Sequence, residues 1–165
     1  MIIQTNTKEK KEYKFTDVKL ELPLSNTSEH VQMGVDPGTT RLGLAYIWRN
    51  ICHIYEVKIV RNPDAVVRIL LMQDIMSECL QMFDFAPLMV IEGSSFGEHY
   101  RQVELAEIRA SAVLWAIKHG VRPKIVPPSS IRKQVLGSAK LRPEIQWDLQ
   151  EYPNAANALA CAYYS

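Results

Sequence analysis

Gln32-Met-Gly-Val-Asp36-Pro-Gly-Thr-Thr-Arg41-Leu-Gly-Leu-Ala-Tyr46 reads as a buried strand that carries one carboxylate into a glycine turn and returns as a second strand. An acid at the end of an apolar run is costly to bury unless a partner uses its charge. The natural partners are a metal ion or a phosphate-bearing ligand with its metal. Most of the functional reading therefore depends on which residues meet Asp36.

Working outward from this stretch, Val31–Asp36, Leu42–Trp48 and Ile51–Val60 read as an antiparallel meander joined by short turns. Asn62-Pro63-Asp64 is a helix-start signal. Ala65–Phe83 then places Val66, Ile69, Leu70, Met76, Leu80 and Phe83 at helical spacing. Leu88–Glu92 is short, wholly apolar and ends in an acid, the pattern of a strand buried on both faces of a parallel sheet. Glu98–His119 reads as a long helix stopped at Gly120, and Lys124–Val126 as a further strand. Pro127-Pro128-Ser129-Ser130 leads into a helix at Ile131–Leu136; Gly137–Arg142 is a loop, and Pro153–Tyr164 an Ala-rich terminal helix. The order predicts an α/β fold, a mixed five-stranded sheet flanked by helices. The first 30 residues differ in character. Met1–Glu12, with its Lys8-Glu-Lys-Lys-Glu12 run, reads as a solvated tail, and Tyr13–Leu24 as a possible edge strand. The expected division is an extension over 1–30 and one domain over 31–165.

The chain has 165 residues, 47% of them apolar and 22% charged, as in an ordinary globular protein. Its net charge of +1 gives no global case for a polyanionic partner, but residues 101–142 hold nine Lys/Arg against two Glu. Cys52, Cys79 and Cys161 are few and widely spaced, which argues against a disulfide framework or zinc site and for a reducing, cytoplasmic setting. The four histidines show no metal-ligand spacing. No apolar run is long enough to span a bilayer, and the Lys/Glu-mixed N-terminus lacks the core of a secretory signal.

Asp36 and Glu92 each end a strand, and in a mixed sheet of this order the two strands can lie side by side and end at one edge, where open α/β sheets place ligands. Two adjacent carboxylates repel unless protons or cations neutralise them. A hard divalent cation such as Mg²⁺, held by one or two carboxylates and substrate phosphate oxygens, is the natural solution. The small or polar residues that follow each acid, Pro37-Gly38 and Gly93-Ser94-Ser95, leave room for one.

Val35-Asp-Pro-Gly, the Ile91-Glu92 strand end and Asn154-Ala-Ala-Asn157-Ala-Leu-Ala together resemble the RuvC family of Holliday-junction resolvases, in order over about residues 31–164. The resemblance implies the RNase H-like fold, a homodimer, and a site in which four acids bind two Mg²⁺ or Mn²⁺ ions that activate water against a DNA phosphodiester. Asp36 and Glu92 match two of the acids. Asn154 and Asn157 stand where the other two belong, and an amide offers a neutral oxygen but no charge. Asn154 after Pro153 also suits a helix N-cap, with Asn157 one turn on. Three explanations stay open: a degenerate, non-cleaving relative; Asp→Asn changes made to trap a complex; or replacement of the lost charge by Asp148 or Glu151.

The resemblance also implies that Arg101, Arg132, Lys133, Lys140 and Arg142 contact branched DNA such as a four-way junction, with Lys and Arg positioning phosphates rather than reading bases. Phe96 and Tyr100 are candidates to stack on unpaired bases. Two further readings attach to the same motifs. Asp-Pro-Gly-Thr-Thr also resembles the phosphate loop of actin-like ATPases, which needs two such domains, and Thr40-Arg41-Leu-Gly-Leu-Ala45 resembles YqgF-like RNA nucleases.

Overall fold

The computed structural model describes residues 1–21, 29–49, 51–59, 64–80, 87–94 and 102–165. Among these, the strands are β1 (Ile2–Glu9), β2 (Tyr13–Leu20), β3 (Gln32–Asp36), β4 (Arg41–Trp48), β5 (Ile51–Ile59), β6 (Leu88–Glu92) and β7 (Lys124–Val126). The helices are α1 (Ala65–Cys79), α2 (Gln102–Lys118), α3 (Pro128–Leu136), α4 (Pro143–Gln146) and α5 (Pro153–Tyr164). The strands form one mixed sheet in the order β1-β2-β5-β4-β3-β6-β7. Pairing is antiparallel from β1 through β3 and parallel from β3 to β7. The meander and the two crossover strands therefore lie where their patterns placed them.

The sheet has seven strands rather than the expected five. The two extra strands come from the extension. Tyr13, Phe15, Val18 and Leu20 of β2 bury their side chains, and β2 pairs with β5 over its whole length. That pairing exposes the other edge of β2, and β1 fills it by main-chain bonding. The tail reading of residues 1–12 fails because a ladder is held by backbone groups. All eight side chains of β1 are exposed, yet Thr7 lies opposite Thr16 and Lys8 opposite Phe15. The charge run sits at the hairpin turn, where Lys8 and Lys10 reach Glu78 of α1.

One face of the sheet packs on α1 and α2, through Tyr13, Val35, Leu44, Tyr55, Met72, Ile75, Ile108 and Trp115. Asp64 starts α1 as its sequence suggests, its Oδ1 accepting the Val67 N–H at 3.0 Å. The buried face of α1 is Leu71, Met72, Ile75, Met76 and Cys79, so Val66, Ile69 and Leu70, expected inside, point outward. Val66 is 67% and Leu70 63% exposed. Apolar residues here occupy both sides of the helix, and periodicity alone does not choose between them. Phe83 lies outside the described residues, as do positions 98–101 at the expected start of α2.

The opposite face carries α5, whose Ala155, Ala156, Ala158, Leu159, Ala160, Cys161 and Ala162 are all buried. A helix this poor in bulk can lie directly on a sheet, provided the sheet offers no side chain beneath it. Gly34 and Gly43 meet that condition: a Cβ at Gly34 would overlap the Ala158 carbonyl, and one at Gly43 the Asn154 carbonyl. The single turn of α4 went unread in the sequence. It begins at Pro143, a residue that suits the first position of a helix.

Candidate active site

Asp36 and Glu92 reach one cleft because β3 and β6 run parallel with Val35 beside Ile91, so each acid is the next residue of its strand. The first turn of α5 closes the cleft from the helical side. The resulting cavity of about 450 Å³ is lined by Asp36, Glu92, Asn154, Asn157, Arg109 and Arg132, with Gln102, Ser94 and Pro128 at its sides. The cavity thus brings together two carboxylates, two guanidinium groups and two amides.

Asp36 is buried, and both amides serve it. Asn154 Nδ2 donates to Asp36 Oδ2 at 3.2 Å and Asn157 Nδ2 donates to the same oxygen at 3.1 Å. Burial lifts the Asp36 carboxyl to about 6; the Asn157 and Asn154 hydrogen bonds and then the Arg132 charge pull the other way. The N-cap reading of Asn154 is thereby corrected. The helix begins at Pro153, with Tyr152, two residues before Asn154, as N-cap, and the Asn154 side chain turns to Asp36 instead of its own backbone. The Asn157 amide leaves its Oδ1 buried and without a partner among the described residues.

Of the basic residues expected to contact DNA, Arg132 lines the cleft, with its Nε buried and unpartnered among the described residues. Lys133 and Lys140 are exposed outside it. Arg142 is also outside and holds Glu144, its Nε donating to Oε1 at 2.7 Å. Arg101, Phe96 and Tyr100 lie outside the described residues. Neither Asp148 nor Glu151 lines the cavity, and both are exposed, so neither replaces the lost charge at this site.

Two site residues escaped the sequence reading. Arg109 lies one α2 face with Gln102 and Leu105, and it ties down the end of β6: its Nε donates to the Glu92 carbonyl at 3.2 Å and its Nη1 to Ser94 Oγ at 3.2 Å. The seven-residue spacing from Gln102 to Arg109, two helical turns, was the available signal. Glu56 of β5 is buried behind the first turn of α5, where its Oε2 accepts the Ala155 N–H at 2.8 Å. Burial raises its carboxyl to about 7, against the Ala155 hydrogen bond and the Arg41 charge. Its signal was an acid at an inward position of an alternating strand, on the face that also carries Cys52 and Ile54.

The folded chain is similar to two structures of Thermus thermophilus RuvC. One is described as the RuvC structure, with 18% identity, 80% of this chain and 90% of that chain covered, and a TM-score of 0.56. The other is RuvC in complex with Holliday junction substrate, with 26% identity, 81% and 90% covered, and a TM-score of 0.59. No family model matches the chain, and no curated protein matches it. The chain has the RuvC-like fold.

Proposed function

We propose that this chain is a RuvC-like endonuclease of branched DNA, binding four-way junctions and hydrolysing a phosphodiester at the Asp36–Glu92 cleft with one divalent ion. The carrying observation is the convergence of both acids, the start of α5 and two arginines on one cavity, in a fold shared with a RuvC that has been solved with a Holliday junction substrate. Arg132 suits the phosphate, since a guanidinium group pairs with its oxygens in two-pronged fashion, while Arg109 adds positive charge to the same cavity. Exposed Lys133 and Lys140 suit the flanking backbone.

The donor set suits one hard ion rather than two. Among the described residues no group of three or more His, Cys, Asp or Glu is placed to hold a metal. Asp36 and Glu92 match the one or two carboxylates with which Mg²⁺ is usually held, and the Asn157 Oδ1 could add a neutral ligand after the amide turns over. Bound there, Mg²⁺ or Mn²⁺ would polarise the phosphoryl oxygen. The protein's own part is to hold Asp36 with two amides, to fix Glu92 through Arg109, and to neutralise phosphate charge with Arg132. A second ion, which the family resemblance implies for a site with four acids, would have to draw its charge from the substrate phosphate.

A homodimer fits the two symmetric cuts that resolution of a junction requires. Its candidate surface is the pair α1 and α2, which pack side by side through Arg68–Glu107 and Trp115–Ser77 contacts. They leave Val66, Leu70, Val103, Leu114 and Ile117 exposed. Among the described residues no helix is long and apolar enough to cross a membrane.

A second reading, binding without cleavage, is favoured by the amides on Asp36, which occupy the oxygen that a metal would otherwise take. One experiment separates the two. The full chain is mixed with a synthetic four-way junction, a linear duplex and a branched RNA, in EDTA and in Mn²⁺. Junction-selective binding in EDTA with cleavage in Mn²⁺ that Asp36→Asn and Glu92→Gln abolish supports the nuclease. Selective binding with no cleavage supports the second reading. Equal affinity for all three ligands refutes both.

A further inference from the structure

We infer that Glu56 is a positioning residue for this cleft: from β5 it caps the first turn of α5 across a gap left by Gly43, and so sets where residues 154 and 157 meet Asp36. The inference rests on the cleft being the functional site.

Asp36, Gly43 and Glu56 stand in one row across three strands, with Asp36 opposite Gly43 and Gly43 opposite Glu56. The first turn of α5 descends into the middle of that row, where Gly43 has no side chain, and its Asn154 backbone fills the space that a Cβ would need. The helix is thereby flanked by two acids with different tasks. Asp36 receives the side chains of Asn154 and Asn157, and Glu56 receives the backbone, with the Ala155 N–H donating to it.

Nothing local does this work. The first N–H groups of a helix lack intrahelical acceptors, and Pro153 at the first position has no N–H to satisfy. Tyr152, the N-cap, makes no side-chain capping bond. The Ala156 N–H reaches the Tyr152 carbonyl, which leaves the Asn154 and Ala155 N–H groups to find acceptors elsewhere. Both act on the Glu56 carboxyl. A carboxylate here also complements the positive end of the helix dipole. Glu56 is 9% exposed, and its Oε1 is buried without a partner among the described residues. A buried acid with one oxygen committed to a helix start is a fixed anchor, since turning away from the helix would leave both its oxygens and the helix N–H groups unpaired. Asn154 is the residue next to the capped N–H, and Asn157 follows one turn later, so the anchor sets the height and rotation of both side chains over Asp36.

The test uses ¹⁵N-labelled full chain and reads the side-chain NH₂ signals of Asn154 and Asn157 together with exchange of the Ala155 amide. These readouts need neither metal nor cleavage, so their failure is distinct from failure of the nuclease reading. In Glu56→Ala the Ala155 amide is expected to exchange at least about tenfold faster, the consequence of losing a charge-assisted hydrogen bond. Both NH₂ signals should move toward those of unbonded asparagine. Glu56→Gln keeps an acceptor oxygen and should restore the parent signals. Val57→Ala, the next residue and on the opposite sheet face, supplies a control that loses stability without touching α5. If Glu56→Ala does not fold, Glu56→Asp, which draws the carboxylate back by one methylene, takes its place with the same expected shifts. Unchanged asparagine signals in a folded Glu56→Ala or Glu56→Asp would overturn the inference. So would equal movement in Val57→Ala, or a Glu56→Gln spectrum that matches Glu56→Ala.

Discussion

Placing acids at both amide positions, Asn154→Asp with Asn157→Asp, should destabilise the metal-free protein and make it depend on divalent cations. In the parent, both amides donate to one oxygen of Asp36, at 3.2 and 3.1 Å. The substitutions turn two donors into two acceptors. Two unit charges 3.1 Å apart repel by about 5 kcal/mol at an effective dielectric constant of 20. The chain has a cheaper escape. Protonating an ordinary aspartate at pH 7 costs about 4 kcal/mol, so uptake of a proton sets the ceiling for each new acid. The protonated acid then donates to Asp36 in place of the amide it replaces, so this hydrogen bond only offsets the one lost and the protonation cost stands. The net cost is therefore up to about 4 kcal/mol per substitution, or about 8 kcal/mol for the pair, which lowers the melting temperature by roughly 15–30 °C in a chain of this size. A divalent ion at about 100 times its dissociation constant should return about 2.7 kcal/mol. The assay is thermal unfolding of parent and double variant in EDTA and in Mg²⁺, with Mn²⁺ binding followed by calorimetry and junction cleavage by gel. The parent should gain little from Mg²⁺, and the variant should regain part of its loss and cut faster. If the variant melts with the parent in EDTA, residues 154 and 157 do not sit on Asp36 in solution. If Mg²⁺ stabilises both chains equally, the missing charge does not control metal binding.

Gly43→Ala should cost roughly 3 kcal/mol in urea unfolding, because its Cβ would overlap the backbone of the first α5 turn, and junction affinity should fall with it. Stability should also fall as pH rises. Asp36 and Glu56 are raised to about 6 and about 7, so the folded chain holds protons that the unfolded chain has released. Their contribution is full below the ordinary carboxylate range and is lost as pH rises through about 6 and about 7; unfolding at pH 5 and pH 8 should differ by about 4 kcal/mol, a difference that Asp36→Asn with Glu56→Gln removes. Arg109→Lys gives up the paired contacts to the Glu92 carbonyl and Ser94, and should speed exchange of the Gly93 N–H, which donates to Val126, by roughly tenfold while slowing cleavage. Lys133→Ala and Lys140→Ala should each reduce the salt dependence of junction binding by about 0.9 in log–log slope, with no change in junction preference.

The meander, the crossover strands and the terminal helix were legible because each is dictated by a local pattern. Leu88–Glu92 and Pro153–Tyr164 have the same bounds in the structure as in the sequence reading. The β1–β2 hairpin was half legible. β2 alternates, but β1 is held through its backbone, and its exposed side chains carry no trace of that pairing. In α1 the apolar residues outnumber the buried places, so the face had to be chosen by the sheet and α2 rather than by spacing.

Asp36 and Glu56 show why one acid of the site was evident and the other was not. Asp36 follows a run that is buried at every position, so its charge is anomalous on sight. Glu56 sits in a strand whose polar and apolar residues mingle, and there an acid reads as a solvated side chain. What separates it from a surface acid is a second strand. Gly43 lies opposite it and Asp36 lies beyond, and a glycine between two inward acids marks a place where another chain segment must enter. A segment that brings N–H groups can enter there, since buried carboxylates need hydrogen-bond donors. A helix start rich in alanine and asparagine supplies them from both its backbone and its side chains. On that logic the amides at 154 and 157 belong to the same arrangement as Glu56, one that holds α5 in place without metal. Acids at 154 and 157 would have made the fold of this cleft depend on the ion it binds.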